Sequence, residues 1–305
     1  MNYPRIFERV YCQPLCVTAA RFQSIHSFLL PRLSGQIPFE VALATAAADG
    51  LQPPARGTRN PFTGGRAQKA GPGWKADGTL DPRFYTEAAP GVAVVPIYGA
   101  LAKNLSSWEE ACGGGTDINA PQEALRQAVA APDIGTIILD IDSPGGEVTG
   151  IPEFGAAVRA AAQAKPVYAF TDASMCSAAY WLGSQASEIY ATGSSNVGSI
   201  GTYLAWLDPA VKMELEGIKL QFFAEGKHKG IGLPGRPLTA DDEALLRARV
   251  KQINDLFQSA VTGARPQVEA PTMEGQTFSG LDLVNTGLVD GLVSGWDELL
   301  SLLAA

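Results

Sequence analysis

The run Thr136-Ile-Ile-Leu-Asp-Ile141 constrains this chain more than any other stretch. It is almost continuously apolar and it ends in Asp142-Ser-Pro-Gly-Gly, which reads as a strand buried on both faces and stopped by a tight turn. Strands of that kind belong to parallel sheets covered by helices, and the surrounding texture agrees. Val92, Val94, Val95 and Ile97 mark a strand over 91–99, and Asn119 caps a helix carrying Leu125, Ala128 and Val129 that stops at Pro132. A helix over 152–164 follows, then strands over 167–170, 188–192, 201–207 and 219–223, with a helix over 209–216 between the last two. Thr239, with Asp242 at N3, opens a helix whose Leu246, Val250, Ile253, Phe257 and Val261 recur at spacings of three and four until Gly263 and Pro266 break it. A helix from Ser279, a strand-like piece over 287–292 and a helix from Trp296 complete the pattern. The β-β-α rhythm predicts an α/β domain with a mainly parallel sheet over 91–305.

What precedes this domain is different. Residues 1–48 form a lead-in or docking segment in which 19–33 suits an amphipathic helix with Phe22, Ile25, Leu29 and Leu33 on one side. An alanine-rich piece over 41–48 leads into a Pro/Gly-rich linker, 49–90, which has too few large aliphatics to bury much surface. The formal net charge of −8 leaves no basic stripe to replace phosphate counterions, so a nucleic-acid surface is not expected. No run reaches the roughly 18 apolar residues of a membrane span, and the first residues lack a secretory apolar core, which together predict a soluble intracellular protein. Cys12 and Cys16 are one helical turn apart while Cys112 and Cys176 stand alone, a spacing of free thiols rather than of a disulfide frame or zinc knuckle.

The stretch 172–201 is where chemistry is expected. Ser177 falls where a strand gives way to a small-residue helix, so the helix N-terminus favours negative charge beside it and the Ala178 N–H can serve as an oxyanion donor. Gly145 or Gly146, at the carboxyl end of the 136–141 strand, can supply a second donor. A hydroxyl needs a base, and the chain has only two histidines, His26 in the lead-in and His228 beside Lys229. Lysine is the other base open to a serine, but bringing a side chain of pKa ~10.4 to neutrality at pH 7 costs about 4.6 kcal/mol unless burial lowers it. Lys229 follows Phe222 and Phe223 and is flanked by Gly226, Gly230, Ile231 and Gly232, a context that suits a loop lysine turned inward.

Four motifs occur in order: Ile141-Asp-Ser-Pro-Gly-Gly-Glu, Ala173-Ser-Met-Cys-Ser177-Ala-Ala-Tyr-Trp, Val197-Gly-Ser-Ile-Gly and Glu225-Gly-Lys-His-Lys229. Together they resemble the S49 peptidase family, relatives of bacterial signal peptide peptidase A within the Clp protease/crotonase superfold. The resemblance covers about 91–294, and the opening Tyr3-Pro-Arg-Ile-Phe-Glu-Arg-Val is more similar to the tailed-phage head maturation proteases. It implies a spiral of β-β-α units, Ser177 as nucleophile, Lys229 as general base, Ser199 as the hydroxyl that orients the lysine, and Gly145 or Gly146 with Ala178 as the oxyanion hole. It implies no metal or other cofactor. A homo-oligomeric ring is expected, with Ser177 and Lys229 able to meet across a subunit boundary. The expected substrates are phage scaffold, capsid or portal proteins inside an assembling prohead in the host cytoplasm, or in the bacterial cytoplasm for a prophage. The family's nucleophile is usually followed by two glycines, here replaced by Ala178 and Ala179, and Met175-Cys176 replaces smaller residues before it. The Ser-His-Asp arrangement of Clp protease itself is disfavoured, because no histidine follows shortly after Ser177. Three alternatives accompany the main expectation: a catalytically silent capsid-assembly or scaffold protein keeping the fold, a crotonase-like acyl-CoA enzyme, and a soluble signal-peptide-degrading peptidase.

Overall fold

The computed structural model describes residues 15–17, 73–74, 80–81, 83–105 and 115–304. The expected helix over 19–33, the alanine-rich piece over 41–48, most of the linker, and Cys12, Cys112 and His26 lie outside the described residues. Strand β1 is Leu15–Val17, and β2 (Gly73–Trp74) pairs with β3 (Leu80–Asp81). Then come β4 (Thr86–Ala89), β5 (Val92–Tyr98), β6 (Leu101–Ala102), β7 (Thr116–Asp117) and helix α1 (Asn119–Ala130). The centre of the chain runs β8 (Thr136–Asp142), β9 (Gly145–Glu147), α2 (Ile151–Ala164), β10 (Val167–Thr171), β11 (Ser174–Cys176) and α3 (Ala178–Gly183). After β12 (Glu188–Ala191) and β13 (Asn196–Gly198) follow α4 (Ala210–Leu215), α5 (Ala240–Ala264), β14 (Thr277–Phe278), α6 (Asp282–Asn285), β15 (Gly291–Leu292) and α7 (Trp296–Leu303).

The main sheet has the order β15-β12-β10-β8-β5-β4, with every pair parallel except β4 and β5. The period of two along each strand divides its core. Ile137, Leu139 and Ile141 of β8 join the large core with Leu125, Phe154, Val158, Tyr180, Phe257 and Val261 from the helices. Ile138 and Phe170 face the opposite side, where Val293, Leu299 and Trp296 cover them, with the Phe170 and Trp296 rings edge to face at 5.4 Å. Asp140 is the polar exception in this buried strand, and the Tyr98 hydroxyl donates to its Oδ2. The expected α/β class with a mainly parallel sheet is therefore what the chain forms.

The β-β-α rhythm is also present. After β8 the chain makes the short β9 in a second sheet of order β1-β9-β6-β7 before entering α2. After β10 it makes β11, in a third sheet of order β11-β13-β14, before entering α3. Two neighbouring parallel strands thus deliver the Gly145-Gly146 turn and Ser177 to the same carboxyl-terminal edge, where α/β folds tend to bind ligands.

Three expectations change. The stretch assigned to the linker ends in β4, which turns back on β5 through Gly91 at φ 79° and closes one edge of the main sheet, with Tyr85 buried. The segment 201–207 forms only an isolated bridge from Tyr203 to Leu15, and 219–223 forms no strand, with Phe223 89% exposed. Neither segment pairs with the main sheet, whose terminal strands are β4 and β15.

Candidate active site

Ser177 links β11 to α3 and carries φ 55° and ψ −120°, a conformation that L residues rarely adopt. The surroundings hold it there. Its N–H donates to Gly198 O at 2.7 Å, and its C=O accepts from Trp181 N at 2.9 Å, which starts the helix. Trp181 in turn stacks on Phe257 of α5 with ring centroids 4.7 Å apart, so α3 is clamped from behind. The serine is 1% exposed, and its Oγ has no hydrogen-bond partner among the described residues. A strained turn at the head of a helix, presenting an uncommitted hydroxyl, is the geometry of a nucleophile elbow. Ala178 and Ala179 are fully buried without displacing the turn, and the bulk of Met175 is taken up at Gly183, where a Cβ would lie 2.4 Å from Met175 Sδ. Cys176 does not compete as a nucleophile. Burial pushes its thiol up to about 12, and Sγ donates to Asn196 O at 3.4 Å.

Opposite lies the glycine turn, where Gly145 has φ 98°. Gly146 presses so closely on the Leu101 backbone that a Cβ would sit 1.9 Å from Leu101 O, which only glycine permits. Ser143 ties this turn to the strand leading into Ser177, a role its place in the motif did not disclose. Its N–H donates to Ser174 O at 2.7 Å and its C=O accepts from Cys176 N at 3.0 Å. Its hydroxyl donates to Gly99 O at 2.6 Å and accepts from Gly145 N at 3.2 Å. One buried serine therefore fixes both β11, which leads into Ser177, and the glycine amide. The available signal was a polar residue between an apolar strand and two glycines. Beside it, Asp142 is raised to about 6 by burial first, then by the neighbouring charges of Asp172 and Asp140.

Ser199 is brought to the same place through the backbone. It follows Gly198, whose carbonyl holds the Ser177 N–H, and it has φ 52° with its own N–H donating to Gln276 O at 2.7 Å. Lys229 is placed differently. Its N–H donates to Gly226 O at 3.0 Å, but its side chain is exposed, contrary to the inward orientation expected from the flanking glycines and aromatics. The reason is that the preceding 219–223 segment lies on the surface and builds no apolar wall around it. His228, the other candidate base, meets Asp242 Oδ1 at 2.9 Å, and Arg236 meets Oδ2 of the same carboxylate at 2.9 Å. Asp242 also closes the capping box of α5 with Thr239, and these bonds, His228 foremost, hold its buried carboxyl far below the usual range. With Lys227 on Asp241 at 2.7 Å, the Lys229 loop is pinned to the N-terminus of α5. Among the described residues no hydrogen bond or ion pair joins Lys229 to Ser177 or Ser199.

A strained, buried serine, a glycine turn fixed to it and a neighbouring Ser199 thus lie together at the carboxyl-terminal edge of a parallel sheet. Residues 159–305, which hold Ser177, Ser199 and Lys229, match the family model of Peptidase family S49. Over 226 residues the chain is 31% identical to capsid assembly protease C of Escherichia phage lambda, a match covering 73% of this chain and 51% of that protein. It is 30% identical over 230 residues to head-tail preconnector protein GP5 of Enterobacteria phage P21, covering 74% of this chain and 45% of that one. Identity to Protease 4 of Salmonella typhi is 26% over 224 residues, covering 72% and 35%. The chain spans about half the length of the two phage relatives. Solved structures with a similar fold include a ClpP1 mutant from Listeria monocytogenes, at 13% identity and TM-score 0.40 over 68% of this chain and 94% of that one. Among the described residues no helix is long and apolar enough to cross a membrane.

Proposed function

We propose that this chain is a serine endopeptidase using a Ser-Lys dyad, and that it cleaves phage scaffold, capsid or portal proteins during prohead maturation inside the host cell. The observation that carries the proposal is the Ser177 elbow: a strained, buried hydroxyl without a partner among the described residues, locked to the Gly145-Gly146 turn through Ser143. Neutral Lys229 takes the Ser177 proton as Oγ attacks the peptide carbonyl. The amides of Ala178 and of Gly145 or Gly146 stabilise the oxyanion, and the leaving amine takes the proton from Lys229; water, deprotonated by Lys229, then attacks the acyl carbonyl, and as the ester bond breaks that proton passes from Lys229 to Ser177 Oγ. Ser199 orients the lysine amine.

Lys229 needs desolvation to serve as a base at neutral pH, and the single chain leaves it exposed. A second copy packed on this loop supplies that desolvation. Val211, Leu215, Ile218 and Phe223 are 71%, 84%, 51% and 89% exposed near it in sequence, an apolar surface that subunit contact would cover, in keeping with a homo-oligomeric ring. The names of the phage relatives support a role in capsid assembly. The exposure of Lys229 also suits a second reading, a silent assembly protein that keeps the fold.

Fluorophosphonate labelling of the assembled protein separates the two. The expected result is stoichiometric labelling that is abolished by Ser177→Ala and reduced by roughly 10²-fold or more in Lys229→Met. Labelling that survives Ser177→Ala, or full proteolysis by Lys229→Met, would remove the mechanism. Co-expression with the capsid and scaffold proteins, followed by intact mass, identifies the substrates; an absence of any Ser177-dependent cleavage favours the silent protein.

A further inference from the structure

Strand β1 lies far from the peptidase domain in sequence and yet sits against its active edge. Leu15–Val17 pairs antiparallel with β9, in the register Leu15 to Glu147, Cys16 to Gly146 and Val17 to Gly145. On its other side Leu15 N donates to Tyr203 O at 2.8 Å, and Tyr203 N donates to Leu15 O at 3.1 Å. Because backbone groups alternate in direction along a strand, Leu15 is turned toward the Tyr203 segment and Cys16 toward β9. β1 is therefore the edge strand of the β1-β9-β6-β7 sheet, and its outer side is bridged at Leu15 to Tyr203, so it lies between two segments that each neighbour residues of the candidate site. β9 holds the Gly145-Gly146 turn, and Tyr203 follows Ser199 by four positions. Without β1, the outer edge of β9 and the Tyr203 backbone would be left facing a gap of about two strand spacings (~4.8 Å each), a slot for one extended peptide.

Main-chain pairing with two edges is how extended peptides are captured by sheets, and it needs little of the peptide's sequence. The register adds position. The C-terminal end of β1 faces Gly145, whose amide is tied by Ser143 to the strand leading into Ser177. The Leu15 side chain is 6% exposed, so the strand is anchored by burial as well as by pairing. Ser177 itself is 1% exposed.

We propose that Leu15–Val17 is a resident strand in the peptide-binding slot, and that the segment carrying it is an internal inhibitor that must leave before a substrate strand can pair with β9 and Tyr203. The proposal rests on the peptidase reading for what the slot is for, but occupancy can be tested without turnover. The probe is a dye-labelled peptide of residues 12–20, with serine at both cysteine positions, titrated by anisotropy into the full chain carrying Ser177→Ala. Adding Leu15→Glu is expected to tighten peptide binding at least tenfold and to abolish the exchange protection of the Tyr203 amide, which the bound peptide then restores. Leu15→Met should leave both at the parent level. If Leu15→Glu does not fold, Cys16→Pro removes the N–H turned toward β9 and serves the same purpose. Peptide binding that is unchanged in a folded release variant, or a Tyr203 amide as unprotected in the parent as in that variant, would overturn the proposal. A failure of the peptidase reading looks different: Ser177-dependent fluorophosphonate labelling would be absent with and without Leu15→Glu, while the binding difference persists.

Discussion

Replacing Ser177 by glycine should stabilise this protein while removing its reactivity. The residue has φ 55° and ψ −120°, where a non-glycine residue costs about 1–3 kcal/mol. Its Oγ is buried without a partner among the described residues, which adds a desolvation cost of order 1 kcal/mol or more. Ser177→Ala relieves only the second cost, so a gain of about 1 kcal/mol is expected. Ser177→Gly relieves both, but loses ~0.4–1 kcal/mol through the freer unfolded chain and a similar amount through the void left by a buried Cβ. The net expectation for glycine is a gain of about 1–2 kcal/mol, at or above that of alanine, or roughly 2–8 °C in Tm for a domain of this size. Thermal and denaturant unfolding at matched protein concentration, run beside fluorophosphonate labelling, measures this. Both variants should be unlabelled. A glycine variant destabilised by 1 kcal/mol or more, ~0.7 pKa units in equivalent free energy, would mean that the turn stores no strain and that the elbow is an ordinary helix start.

Gly146→Ala must move backbone, since its Cβ would fall 1.9 Å from Leu101 O and 2.5 Å from Leu101 N, so a loss of about 3 kcal/mol or more is expected, together with weaker Ser177 labelling. Gly193→Ala, with nothing within 4 Å of its Cβ, should stay within about 0.5 kcal/mol of the parent and is the control. Asp142, raised from 3.8 to about 6, favours the folded state when protonated; its contribution is complete below pH 3.8 and lost as pH rises through about 6. Asp142→Asn should therefore stabilise the protein at pH 8 by about 1 kcal/mol, discounted for partial exposure, and have little effect near pH 4, measured as the difference between the two unfolding curves. Asp242→Asn weakens the anchor shared by His228 and Arg236, and should speed amide exchange across 226–236 and slow Lys229-dependent labelling severalfold, with Ser177→Ala still the blank. Unchanged exchange in that loop would show that the ion pairs do not position it.

The central strands and the long helix were legible because their information is local. The continuous apolar run of β8 and the Thr239-Asp242 capping box each state their structure within a few residues, and both occur as expected. Ser177 was legible as a strand-to-helix junction for the same reason. The segments 201–207 and 219–223 misled because a strand exists only where a partner pairs with it, and a short stretch of sequence does not name that partner. Lys229 misled in a related way, since flanking glycines and aromatics allow a lysine to turn inward without supplying the walls that would enclose it.

The amino-acid sequence by itself determined the class of fold, its central strands and long helices, and the serine at the head of α3, because periodicity and turn chemistry act over short distances. Only the tertiary structure decided that Ser143 joins the glycine turn to that serine, that Asp242 holds the loop of Lys229, and that β1 lies between β9 and Tyr203. Each of these depends on hydrogen bonds between residues well separated along the chain, such as Ser143 to Ser174 and Cys176, whose partners are chosen by the packing of the whole domain and not announced by any local pattern.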